Sequence, residues 1–440
     1  MKHILIIICL VSGITLKGFS QQAAPDSQRY NFSIQDCINY AYAHQDSVLN
    51  ASLDVKSADY KVKETIGIGL PQVSGSAVFQ DYLKTPTVIF GGQKFSIYQR
   101  YNNTNSINLN QILFDGSYLV GLQAAKTYKE LSQRSFTRSK IEVNVNVTKA
   151  YYQVLVSNEQ LRLLDANIKQ IKQQLDETIQ QNKQGFVEKI DVDRLTVQYN
   201  TLISNKENTV RLLVLNYQVL KFQMGMPIEN EIILKDKLED ISLANNLADF
   251  TSDTTFYRNR IEYGLTETNL KLNQYDLKRK KTALIPTLSF NGSTGLQFQN
   301  EAIGKLFNTS YPSTYIGLTL NVPIFSGFQK SNQIKQSQIT VLKSKNDLYN
   351  LKNALSLQAS QARITYVNGL QTLNVQKQNQ ALAEEVLRVS RIKYQQGVGS
   401  SIEVTQAQSA LEDADNKYIQ GLYDALVSKV DLDKAYGRIK

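Results

Sequence analysis

All seven prolines of this 440-residue chain, Pro25, Pro71, Pro86, Pro227, Pro286, Pro312 and Pro323, lie outside two stretches, 117–226 and 328–440. Proline lacks the amide hydrogen that a helix interior uses, and its ring clashes with the preceding turn. Two such long proline-free stretches therefore point to long helices. Apolar residues inside them recur at spacings of three and four, as in Leu164, Ile168, Ile171 and Leu175, and again in Leu382, Val386 and Val389. That is the pattern of coiled-coil-like helices. Tyr118 to Lys183 alone would form a rod on the order of 100 Å at about 1.5 Å per residue, longer than any ordinary globular core requires.

The two stretches belong to a duplication. Leu70-Pro71 returns as Ile285-Pro286, Phe114-Asp115-Gly116 as Phe325-Ser326-Gly327, Gln184-Gly185 as Gln396-Gly397, and Gly225 as Gly437, each at an offset of about 212 residues. Repeats of approximately 32–228 and 250–438 follow. Each reads helix, strand, long loop, strand, very long helix, tight turn and second long helix. Neither half can close a sheet of its own, so both are expected in one continuous structure. The first helix opens at Ser33-Ile34-Gln35-Asp36, a capping-box spacing, and is expected to run to about Gly69.

Between the helices, residues 287–298 alternate, with Leu288, Phe290, Leu296 and Phe298 on one face and Ser289, Asn291, Ser293 and Gln297 on the other. Residues 315–325 do likewise, and less regular partners lie at 72–82 and 103–113. A half-buried strand in an ordinary sheet fits this alternation. A membrane strand fits it too, since each segment has about the 9–11 residues that a tilted crossing needs. Four strands leave open edges, which lipid cannot satisfy, so the membrane reading requires several chains to share one barrel. Aromatic residues such as Phe79, Tyr82, Tyr98, Tyr101, Phe307, Tyr311 and Tyr315 cluster at the ends of these segments, where an interfacial girdle would lie. The loops 83–102 and 299–313 are expected to face outward.

The N-terminus carries Lys2, an apolar run from Ile4 to Leu16, and small residues before Gln21. This is a secretory signal peptide over 1–20, with 21–440 as the exported chain. Cys9 follows the bulky Ile8, which argues against acylation there. Beyond the leader only Cys37 and His44 remain of their residue types, so neither a disulfide framework nor a zinc cluster can be built within one chain. No catalytic, cofactor or metal residues are assigned. Glu384 and Glu385 are adjacent on a helix and point in different directions, and Gly91-Gly92 is a lone pair of loop glycines. The net charge of +10 is spread among acids along polar helix faces, without the aromatic interleaving of a nucleic-acid surface.

With these features in place, the sequence from about Phe32 to Gly437 resembles the TolC-like outer membrane efflux protein family, the outer membrane factors. The resemblance rests on Ile112-Leu113-Phe114-Asp115-Gly116, Val322-Pro323-Ile324-Phe325-Ser326-Gly327 and the opening Phe32-Ser33-Ile34-Gln35-Asp36-Cys37. It implies a mainly α fold with membrane β-strands, in which long helical hairpins and four strands per chain build a homotrimer with one shared 12-stranded barrel. The implied function is a passive conduit in the outer membrane of a Gram-negative bacterium, with a helical extension into the periplasm. It would serve a tripartite efflux or type I secretion system, coupled to an inner-membrane RND or ABC pump through a periplasmic adaptor, the membrane fusion protein. The barrel would contact outer-membrane lipid, and no nucleic acid is implied. A periplasmic coiled-coil adaptor or structural protein is the alternative; it accounts for the rods but not for the strands.

The same resemblance places adaptor-contact tips at Gly185, Phe186 and Val187 and at Gly397, Val398, Gly399 and Ser400. It also implies a closing hydrogen bond from Tyr394 to Asp191, with Glu403 contributing to a carboxylate ring. The residues themselves read equally well as a surface tyrosine and a helix-capping aspartate. The arginine that assists this latch in the family would fall at Gly399, and a second ring acid at Gln406, so a weaker latch is expected.

Overall fold

The computed structural model describes residues 29–238, 241, 243 and 255–439; the expected leader, residues 1–20, lies outside them. The helices are α1 (Ile34–His44), α2 (Asp46–Ile68), α3 (Gly116–Lys183), α4 (Lys189–Met224), α5 (Ile261–Thr282), α6 (Gln329–Gln395) and α7 (Ser401–Ala435). The strands are β1 (Arg29–Phe32), β2 (Gln72–Asp81), β3 (Thr87–Phe90), β4 (Gln93–Ser96), β5 (Tyr101–Phe114), β6 (Glu231–Leu234), β7 (Thr287–Asn300) and β8 (Ser310–Asn321). The two proline-free stretches are the hairpins α3–α4 and α6–α7, and α3 alone has 68 residues.

Each long helix carries two shorter ones along its length. Helix α3 packs against α2 toward the sheet and α4 away from it, while α6 packs against α5 and α7 in the same sense. Helices α5 and α7 also contact α3, which joins the two repeats. The shorter helices abut end to end, and glycines make the junctions possible. Gly225 closes α4 at φ +68°, and a Cβ there would lie 2.6 Å from the His44 carbonyl oxygen; Gly437, after α7, also has φ +68°, and a Cβ there would lie 2.9 Å from the Asn259 backbone. Both the positive φ and the close backbone approach exclude a side chain.

One of these junctions breaks the first helix. The single helix expected from Ser33 to Gly69 is two, because Gln45, at φ −76° and ψ 125°, ends α1 and caps α2 at the point where Gly225 arrives. The expected capping box at Ser33 and Asp36 is formed. Around this waist lies the largest apolar cluster, which includes Cys37, Val147, Tyr151, Val154, Leu220 and Met224. Strands β1 and β6 pair in parallel beside it. The fully buried Tyr151 donates to Asp236 at 2.9 Å, and the same carboxylate accepts the Ile34 amide at 2.9 Å, which caps α1.

Strands β2, β5, β7 and β8 form an antiparallel sheet in the order β2-β5-β7-β8, open at both edges. The fourth strand, expected over 315–325, instead runs Ser310–Asn321. Pro323 has no amide to offer a ladder, so pairing stops at Asn321 opposite Thr287, and the strand extends at its other end. The turns into the long helices also differ between repeats. Asp115 caps α3 through the Ser117 and Tyr118 amides, with Gly116 already helical, whereas Gly327 and Phe328 both take left-handed conformations before α6. Loop 83–102 is not irregular throughout: β3 and β4 make a hairpin about Gly91-Gly92, at φ +61° and +82°.

Candidate channel tips and barrel wall

The sheet register sorts the strand residues into two chemically distinct faces. Phe290 pairs with Leu318, Leu288 with Leu320 and Gly292 with Ile316, while Val73 and Leu109 continue the same face. Polar intruders on this face satisfy one another, as in Asn105 to Asn103 at 2.7 Å and Thr294 with Thr314 at 2.8 Å. Those asparagines are why the first strand pair reads less regularly. The opposite face is a ladder of neutral polar groups, with Ser76 and Ser106 at 2.9 Å, Ser293 donating to Asn108 at 2.8 Å, Asn291 to Thr319 at 2.7 Å and Gln297 to Asn102 at 3.2 Å. Of the residues in the four strands only Asp81 is charged, and it pairs with Arg100 at 3.0 Å. An apolar face whose one charge, Asp81, sits at the end of an edge strand, beside a hydrogen-bonded polar face, is what a wall between hydrocarbon and water requires. No described helix is long and apolar enough to cross a membrane.

At the far end of the helices the same turn is built twice. After α3, Gly185 at φ +80° lets the Phe186 amide return to the Gln181 carbonyl at 3.0 Å, and the Asn182 side chain donates to the Val187 carbonyl at 2.8 Å. After α6, Gly397 at φ +75° lets the Val398 amide return to Lys393 at 3.0 Å, and Ser400 caps α7 by accepting the Glu403 amide at 3.2 Å. These left-handed closures leave an apolar side chain at each apex, Phe186 at 77% exposure and Val398 at 78%. Val187 is half-buried, and Glu403 is exposed in the first turn of α7. Gly399 is tight, since a Cβ there would lie 2.9 Å from the Lys393 Cβ.

The two turns meet through Asp191, though not by the expected contact. Its carboxylate accepts from the Ser401 hydroxyl at the start of α7, and Arg194 lies 3.5 Å away within α4. Tyr394 packs against the cluster of Leu387, Val404, Ala407 and Leu411, and its buried hydroxyl has no hydrogen-bond partner, so the Tyr394–Asp191 bond is not made. Burial pushes the Tyr394 hydroxyl above its ordinary range and the Asp191 charge adds to the effect, while the neighbouring Thr178 side chain opposes it. Sequence reasoning missed Ser401 because a serine following Ser400 reads as part of a cap. It also missed Arg391, whose guanidinium donates to the buried Gln408 at 3.0 Å. Burial lowers the Arg391 pKa, and Glu177 opposes that shift. Higher up, Asp415 accepts from Asn167 and Gln380, both at 2.8 Å, and so links α3, α6 and α7. Among the described residues no three His, Cys, Asp or Glu side chains gather as a metal site.

The outer membrane efflux protein family matches residues 37–208 and 266–438, one segment in each repeat. The outer membrane protein TolC of Salmonella enteritidis is 23% identical over 445 residues, covering 98% of this chain and 86% of that protein. The proteases secretion protein PrtF of Dickeya chrysanthemi is 20% identical over 342 residues, covering 77% of this chain and 73% of its own length. Among solved structures, the outer membrane protein VceC of Vibrio cholerae superposes with a TM-score of 0.74 at 13% identity, over 92% of this chain and 96% of that one. That likeness confirms the expected fold of helical rods joined to barrel strands. With rods, strands and both matched segments in register, the chain belongs to the outer membrane efflux protein family and is a channel of the Gram-negative outer membrane, for efflux or type I secretion, whose helices extend into the periplasm.

Proposed function

We propose that three copies, each giving four strands, close one twelve-stranded barrel in the outer membrane and one helical tunnel below it. The observation that carries this reading is the sheet itself, apolar on one face and open at both β2 and β8. An open edge in hydrocarbon leaves backbone groups unsatisfied at several kcal/mol each, and a β8 edge can meet the β2 edge of the next copy in the antiparallel sense. The conduit is passive: no residue performs chemistry, and energy comes from an inner-membrane RND or ABC pump acting through a periplasmic adaptor. Phe186 and Val398, with Gly185, Val187, Gly397, Gly399 and Ser400 shaping their turns, are the adaptor contact. Asp191 and Ser401 hold the two hairpins together at rest, Tyr394 packs beneath them, and Glu403 lends negative charge to the aperture, a feature that favours cations.

Single-particle imaging of the detergent-extracted protein tests the assembly. A threefold particle with a short barrel and a cylinder about 100 Å long is expected; a monomer or a twofold particle would refute it. Adaptor docking is tested by Phe186→Asp with Val398→Asp, which should abolish adaptor cross-linking while leaving particle size unchanged.

A further inference from the structure

The outer hairpin is more apolar than its position calls for. Above the barrel rim, β3 and β4 pair Val88 with Phe95, and Phe90 lies two residues on along the same face. Every residue of both strands is exposed, Phe90 at 80% and Phe95 at 50%. An isolated two-stranded hairpin is marginal in water, and a face of this kind signals a contact surface. Charged groups at its base set it apart from the lipid-facing band: Arg100 pairs with Asp81 at 3.0 Å, and its amide donates to Glu301 at 3.3 Å. The hairpin therefore stands on the aqueous side of the rim.

The sheet order says what lies beside it. The hairpin joins the edge strand β2 to β5, and the loop between β7 and the opposite edge strand β8 rises to the same height, since Tyr101 pairs with Asn300. That loop carries Ile303 at 61% exposure and Phe307 at 64%. Closing the ring sets the β8 edge of one copy against the β2 edge of the next, so the loop of one copy flanks the hairpin of its neighbour. We infer that the β3–β4 hairpin is an intersubunit clasp, whose Val88, Phe90 and Phe95 face seats on Ile303 and Phe307 of the adjacent copy above the membrane. The clasp rests on the multi-copy reading and adds a contact that the strand edges alone do not require.

The chain has no tryptophan, so Phe90→Trp installs a sole reporter in the full-length protein. In reconstituted bilayers its emission should be blue-shifted, several-fold less quenched by aqueous acrylamide than free tryptophan, and unaffected by brominated acyl chains. Adding Ile303→Asn and Phe307→Asn should return the emission to the red and restore quenching without altering particle size. Quenching by brominated lipid would assign the hairpin to the membrane instead, and free acrylamide access in an intact oligomer would leave the hairpin unclasped; either result overturns the inference. A monomeric particle would overturn the multi-copy reading and the clasp together, a failure that light scattering on the same sample separates from the other two.

Discussion

Replacing the four duplicated glycines by alanine should give two classes of damage. At Gly185 and Gly397 the φ values are +80° and +75°, and an added Cβ meets nothing within 4 Å. The cost is the left-handed penalty alone, about 1–2 kcal/mol per chain. At Gly225 and Gly437 the same penalty applies at φ +68°, but the Cβ would also sit 2.6 Å from the His44 carbonyl oxygen or 2.9 Å from the Asn259 carbonyl carbon. Backbone cannot rotate away as a side chain can, so an overpacking cost of about 1–3 kcal/mol is added. Gly225→Ala and Gly437→Ala should therefore lose roughly twice the stability of Gly185→Ala and Gly397→Ala. Helix content followed by far-ultraviolet circular dichroism against denaturant, in one detergent, gives the ranking through the transition midpoints. Equal midpoints for Gly225→Ala and Gly185→Ala would refute the abutting-helix geometry.

Three further outcomes follow from individual contacts. Ser401→Ala or Asp191→Ala removes a hydrogen bond to a charged group, of about 1.5–3 kcal/mol, and should raise single-channel conductance in planar bilayers; Tyr394→Phe, whose hydroxyl does not reach Asp191, should leave conductance unchanged. Asp59 is held near a pKa of about 2 by Lys129 and Lys63, which bind it at 2.6 and 2.9 Å. A depressed carboxyl stabilises the fold fully above its ordinary value of 3.8 and loses that contribution as the pH falls through about 2. Asp59→Asn should accordingly flatten this part of an acid-unfolding curve, and an unchanged curve would count against the α2–α3 tie. The Cys37 thiol, completely buried and pushed up to about 12 by burial and then by Asp36 and Asp236, should resist maleimide in the native protein and label only on unfolding, as read by mass spectrometry.

The long helices were legible because their signal is cumulative: residues 117–226 without proline and with apolar stripes leave little choice. The duplicated glycines were legible for a related reason, since a left-handed closure admits few other residues, and Gly185, Gly225, Gly397 and Gly437 all adopt it. Failures came where a distant part of the chain decides local structure. Nothing near Gln45 announces a helix end; the break is there because the end of α4 occupies that space. Strands β1 and β6, four residues each and some two hundred apart, carry too little periodicity to be paired by inspection. At the tip, Asp191 was reached through the family resemblance, but its partner depends on which of several neighbouring groups a helix rotation brings within reach. A serine hydroxyl at the first position of α7 reaches it where a tyrosine on α6 does not.

The neutral polar face of the barrel sets a limit on what the pore can choose. Amides and hydroxyls are dipoles already engaged with one another, so they offer a passing solute a surface that substitutes for bulk water without holding it. A wall of this kind has no fixed charge to make a deep well for one ion sign or a barrier for the other, and transit across it is governed by width and diffusion. Discrimination among cargoes must then be exercised before molecules reach the strands, at the periplasmic end or upstream of it, and the outer half works as an aqueous vent.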